Sequence, residues 1–230
     1  MTASINTRQM VRLLEKVARD IESAQAHLTQ LDAAMGDGDH GVSMTIGSRA
    51  VRKALATTSA CSVPDLLQQA ANTFQAAAGA TVGALLGAGV RAAASTLASK
   101  DQLGPEDLSR SFRAALDAVM KLGGAEPGYK TMVDCLHPAT VATEKAVLEG
   151  KDAFTALRCG LEAAEQGMES TRMLVARKGR ASRLGERTRG HVDPGAASCF
   201  LMLQSAVDFL EQERSMSATP STERVAPHQL

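Results

Sequence analysis

The chain has 230 residues, 44% of them apolar and 22% charged, a composition that supports one packed domain and excludes a generally disordered chain. Lys plus Arg and Asp plus Glu number 25 each, so the net charge is zero. Without a basic surplus to displace counterions, general nucleic-acid binding is disfavoured, although a local basic pocket for one nucleotide is not.

Aromatics are scarce at 3%, which leaves Ala, Leu, Met and Val to fill the core and suits closely approaching helices better than a β-sandwich. The N-terminus lacks the long apolar core of a signal peptide, and no uncharged apolar run of about 18 residues follows. A cytoplasmic protein without a membrane span is expected. Cys61, Cys135, Cys159 and Cys199 are far apart, form no CxxC pair, and read as reduced thiols.

Met10, Leu13, Leu14, Val17, Ile21, Ala24 and Leu28 recur at spacings of three and four, which predicts a first helix over 7–31. A second is predicted from about 40–42 to 57, followed by a loop, and Pro64 with Asp65 suits the start of a third. The stretch AAAGATVGALLGAG, residues 76–89, breaks that helix at glycines, after which a fourth, alanine-rich segment runs to about 97. Further helices are predicted over 105–122, over 131–148 with a bend at Pro138, and over 151–174. Residues 175–195 show no sustained period and are dense in Arg and Gly; a last helix covers 196–213. The expected organisation is one all-α domain over 1–213 and a disordered Ser/Thr/Pro-rich tail over 214–230. No segment alternates as a strand. About eight helices joined by short loops make an antiparallel bundle, and its four glycine-rich loops fall at alternate connections, which collects them at one end.

The loop GDGDHG carries the strongest chemistry. Asp32, Asp37 and Asp39 offer hard oxygen ligands, and three carboxylates this close repel one another unless a cation neutralises them. The loop leads into a helix whose free N–H groups favour phosphate. A calcium EF-hand is disfavoured because the twelfth position from Asp37 is Ser48, not Glu. GATVGALLG offers a small-residue cradle with the Thr81 hydroxyl, and YKTMVDCLHPA places Thr131 and Met132 at a helix start, the latter as an apolar surface for a base. Arg180, Arg183, Arg187 and Arg189 have the planar fork that suits phosphate. His40 and His191 are acid–base or hydrogen-bonding candidates. There is no G-x-S-x-G elbow or Walker A loop, and the G-x-G-x-x-G spacing within GDGDHG follows a predicted helix and no strand, so it makes neither a Rossmann fingerprint nor a protein-kinase glycine loop.

Four stretches, LDAAMGDGDHG, GATVGALLG, KTMVDCLHPA and GRASRLGERTRGHVDPGAAS, occur in the order and spacing seen in the nucleotide-binding L subunit, or C-terminal domain, of dihydroxyacetone kinases. The resemblance covers about 7–213. It implies an eight-helix antiparallel up-and-down barrel holding ADP or ATP at one end through two Mg2+ ions. By the same resemblance Asp32, Asp37 and Asp39 are the magnesium ligands and carry the catalytic chemistry. His40, Gly41, Val42 and Ser43 hold phosphate, Thr81 and Val82 line the second loop, Gly123 and Met132 face the adenine, and Arg180 with Asp193, Pro194 and Gly195 closes the pocket. Two positions depart from the family pattern: Val82 stands where a second small polar residue is common, and Tyr129 where an acidic one is.

The activity implied is phosphoryl transfer as half of a dihydroxyacetone-type kinase. A separate K subunit would bind the triose or tetrose covalently, and the donor would be ATP or, through bound ADP, a phosphotransferase-system M-type phosphocarrier protein. A homodimer is a further expectation; nucleic acid and membrane are not expected partners. The alternative is a non-catalytic nucleotide-sensing or regulatory module that binds a partner protein.

Overall fold

The computed structural model describes residues 5–60, 62–97 and 103–218. Cys61 and most of the expected tail, 219–230, lie outside the described residues. Nine α-helices and two short 3-10 segments are found among the described residues, and no strand. The helices are α1 (Thr7–Ser23), α2 (Gln25–Ala33), α3 (His40–Leu55), α4 (Val63–Ala78), α5 (Ala80–Thr96), α6 (Pro105–Gly123), α7 (Val133–Leu148), α8 (Ala153–Ser170) and α9 (Pro194–Ala218). None is long and apolar enough to cross a membrane.

Local chemistry explains the boundaries. Asn6 and Gln9 form a reciprocal capping box that starts α1. Ser62 caps α4 by accepting from the Asp65 N–H, and Asp152 caps α8 by accepting from Thr155 at 2.7 Å. The α4–α5 break falls at a single residue, Gly79, whose φ of +59° belongs to the left-handed region that glycine tolerates; the later glycines of that stretch stay inside α5. The predicted first helix is split at Ala24, where ψ opens to 3°. The split redirects α2 against the start of α3. The last helix runs to Ala218, beyond the point where the sequence reading began its tail.

Consecutive helices pack on one another from α3 to α9, α1 packs on α3, and α9 returns to pack on α1 and α2. With α1 and α2 counted as one bent helix, the result is a closed ring of eight. Its interior holds two apolar clusters. Met10, Leu13, Leu55, Val63, Leu66, Leu97 and Phe209 fill one end, where α3 stops and α4 starts. Ile21, Leu28, Met44, Leu116, Val119, Met132 and Val133 fill the other. Ile21, Leu28, Met44 and Leu116 are all at most 1% exposed, and each such side chain stabilises the fold by roughly 1.5–3 kcal/mol. The second cluster is the floor of a cavity. Cys135 and Cys199 are free and buried, and Cys159 is partly buried; burial pushes the Cys199 thiol up to about 12 and Cys135 higher still, so both stay protonated.

Candidate functional site

The up-and-down order sends the starts of α3, α5, α7 and α9 to the same end of the ring. His40, Thr81, Val82, Val133 and Pro194 stand at those starts, and all line one cavity of about 250 Å3. Four helix N-termini therefore converge on one space, which concentrates unpaired N–H groups and positive dipole ends there.

Asp32 sits in the last turn of α2, and its Oδ2 accepts the His40 N–H at 3.1 Å. Gly38, at φ +77°, turns the chain back towards α3. Gly41 makes the close approach possible: a Cβ there would lie 2.3 Å from the Gln25 carbonyl and 2.7 Å from the Thr29 nitrogen. Asp32, Asp37 and Asp39 then present carboxylate oxygens that all lie within 4.8 Å of one another. Burial, and next the Asp32 charge, push the Asp39 carboxyl up from its ordinary value. Arg180 reaches in from the opposite wall. Its Nη1 and Nη2 donate to Asp39 at 3.0 and 2.7 Å, and Nη1 also contacts Asp37. A cluster of hard oxygens at a cavity mouth, already courted by a cation, fits Mg2+.

The His40 ring turns to α9, where its Nε2 lies 3.1 Å from Ser198 Oγ and its desolvation lowers its pKa, favouring the neutral form. Ser43 donates its N–H to the Asp39 carbonyl. Between these two, Gly41 and Val42 carry first-turn N–H groups that the helix itself does not use. Asp193 heads α9: its Oδ2 accepts from the Ala196 N–H at 2.8 Å, its own N–H donates to Thr171 Oγ1 at 2.9 Å, and burial pushes its carboxyl up to about 7. Leu85, Val119, Ala125, Met132 and Val133 make part of the lining apolar.

Of the residues singled out in the sequence, Asp32, Asp39, His40, Ser43, Thr81, Val82, Gly123, Met132, Arg180, Asp193, Pro194 and Gly195 line this cavity. Asp37 joins through the carboxylate cluster. Gly41 packs against α2, and the Val42 side chain points out at 43% exposure. Tyr129, at the departure noted above, lies under the Arg177 guanidinium, 5.5 Å from centroid to Cζ. Lys130 and Lys178 also line the cavity. Sequence reasoning passed over both, because a lone lysine beside a helix start has no period or spacing to mark it.

Comparison with known proteins places this geometry in context. A family model described as the DAK2 domain matches residues 34–208. The chain is 34% identical over 201 residues to the ADP-binding subunit of the PEP-dependent dihydroxyacetone kinase of Escherichia coli K12, covering 87% of this chain and 96% of that one. It is 37% identical over 202 residues to the L-erythrulose 1-kinase of Mycolicibacterium smegmatis, covering 87% of this chain but 35% of that one. The dihydroxyacetone kinase of C. freundii, in a crystal structure with AMP-PNP and Mg2+, shares the fold with a TM-score of 0.67 at 22% identity, over 90% of this chain and 35% of the other. The chain thus spans about a third of these two longer kinases and nearly all of the bacterial subunit. The match over most of its length makes this chain a member of the DAK2 domain family, together with the ADP-binding subunits of dihydroxyacetone kinases.

Proposed function

We propose that this chain binds ADP or ATP with magnesium at the cavity and serves as the phosphoryl-transfer subunit of a cytoplasmic kinase for small ketoses or aldoses. The sugar would be held by a separate K subunit. The observation that carries the reading is the three-carboxylate cluster at the start of α3, on a partly apolar cavity where four helix starts converge. The ligands named for the related proteins support it.

Asp32, Asp37 and Asp39 would hold the metal, and two ions fit the number of carboxylate oxygens. Magnesium when bound offsets the charge on the nucleotide phosphates and on the transferred phosphoryl group. The N–H groups at the start of α3 and the Thr81 hydroxyl on α5 orient phosphate oxygens. The apolar wall of Leu85, Val119 and Met132 takes the base and excludes water. Arg180 carries a planar cation that can move between carboxylate and phosphate. The neutral His40, tied to Ser198, fixes the first turn of α3 without adding charge. No side chain need bond covalently to phosphate, since positioning and charge carry the work.

Isothermal titration of protein stripped of copurified nucleotide tests the binding. Mg-ADP should titrate to one site per chain, and a folded, magnesium-supplied protein that takes neither ADP nor ATP overturns the reading. Mass spectrometry of the native protein separates the donors: retained ADP marks phosphoprotein dependence, whereas an empty site with fast ATP exchange marks ATP dependence. Adding a K subunit and dihydroxyacetone tests transfer, and nucleotide binding without turnover favours the sensing module.

A further inference from the structure

Lys130 is the most deeply buried charged side chain among the described residues, at 1% exposure. It is also the only non-glycine residue among them with φ in the left-handed region, at +60°. Glycine would adopt that conformation at less cost, so the backbone alone does not explain a lysine here. The side chain does. Its Nζ donates to the Thr171 carbonyl at 2.6 Å and to the His191 carbonyl at 2.5 Å.

These two carbonyls belong to opposite ends of the connection between α8 and α9. Thr171 opens the 3-10 turn after α8, and its hydroxyl accepts the Asp193 N–H. His191 stands two residues before Asp193. Lys130 itself precedes Thr131 and Met132, where Thr131 donates its N–H to Asp134 Oδ2 at 2.7 Å. Arg177 adds a main-chain bond to the Tyr129 carbonyl at 3.1 Å. One ammonium thus joins the segment carrying Met132 to the turn carrying Asp193–Gly195. The Met132 nitrogen lies 3.5 Å from the place a Gly195 Cβ would occupy.

We propose that Lys130 is a positioning residue for the base end of the nucleotide site: its ammonium sets the spacing between the Met132 wall and the Asp193–Gly195 turn. The inference rests on the nucleotide reading above. The aspartate loop has a tie of its own, the Asp32 bond to the α3 N-terminus, besides the His40 contact with Ser198 on α9, so the phosphate end depends on the clamp less than the base end does.

Lys130→Met keeps the volume and removes the charge, and Lys130→Gly also relieves the backbone. Calorimetry would compare Mg-ADP with magnesium pyrophosphate, which has no base or sugar, on wild type and both variants. The loss of two buried hydrogen bonds predicts that the ratio of ADP affinity to pyrophosphate affinity falls by at least about tenfold in both variants. A general loosening of the fold would weaken both ligands alike and leave the ratio unchanged, which overturns the proposal. Full ADP affinity in the glycine variant overturns it too, as does failure of both variants to fold, since Lys130 would then belong to the core rather than to the site. A wild type that binds neither ligand sinks the nucleotide reading instead.

Discussion

Arg180 holds Asp39 through both of its terminal nitrogens, at 3.0 and 2.7 Å, while the same guanidinium touches Asp37. A metal ion entering the cluster must share these oxygens with it. Removing the arginine therefore has two effects of opposite sign: it frees carboxylate oxygens for the metal and removes a fork that suits phosphate. Arg180→Ala is expected to bind Mn2+ a few-fold more tightly without nucleotide, read by electron paramagnetic resonance. It should bind Mg-ADP about tenfold more weakly by calorimetry. An unchanged Mn2+ affinity would show that the guanidinium does not compete for the cluster.

Asp37 is half exposed and contributes to no apolar cluster. Its removal relieves repulsion among three carboxylates and buries nothing new. Asp37→Ala should leave metal-free stability within about 0.5 kcal/mol of wild type. Mg-ADP binding should nonetheless be abolished, because one hard ligand is gone. Thermal unfolding without metal, set beside calorimetry, checks the pair; undiminished nucleotide affinity contradicts the metal assignment.

Most of the ring was legible in residue spacing, because each helix buries one apolar stripe and the stripe repeats every three or four positions. The split at Ala24 was not, since no Gly or Pro marks it and polar residues such as Glu22, Ser23 and Gln25 sit equally well on the outer face of an unbroken helix. The aspartate loop was legible in its own chemistry, whereas Arg180, Arg183, Arg187 and Arg189 look alike in sequence and the resemblance alone singles out Arg180. Lys130 and Ser198 were not legible: their roles come from partners 41 and 158 residues away, and nothing local announces such bonds. The resemblance alone assigns Gly41 to phosphate, and its packing against Gln25 and Thr29 becomes visible only with α2 in view.

Gly41→Ala tests that packing. The added methyl would meet two main-chain atoms, the Gln25 carbonyl and the Thr29 nitrogen, neither of which can swing aside. Overpacking of this kind costs about 1–3 kcal/mol, which thermal or urea unfolding would detect. The shift of α3 against α2 should also separate Asp39 from Asp32 and weaken Mg-ADP binding. A variant as stable as wild type would mean that α2 yields readily.

Asp193 supplies the pH dependence. Burial raises its carboxyl from 3.8 to about 7, with Asp134 adding in the same direction and Lys130 and the α9 N–H groups opposing. Between those values the folded protein holds a proton that the unfolded chain has released. Stability therefore falls as pH rises through that window and flattens above about 7, by up to about 1.4 kcal/mol for each pH unit. Carboxylates held below their ordinary range, such as Asp20 and Glu22, act with the opposite sign at lower pH, so the measurement has to be differential. Asp193→Asn keeps an acceptor for the Ala196 N–H and cannot titrate. In metal-free, nucleotide-free buffer, wild type should lose stability relative to this variant from about pH 4.5 to 7 and track it at constant offset above. Parallel curves across the whole range would mean that Asp193 ionises normally and that water reaches it.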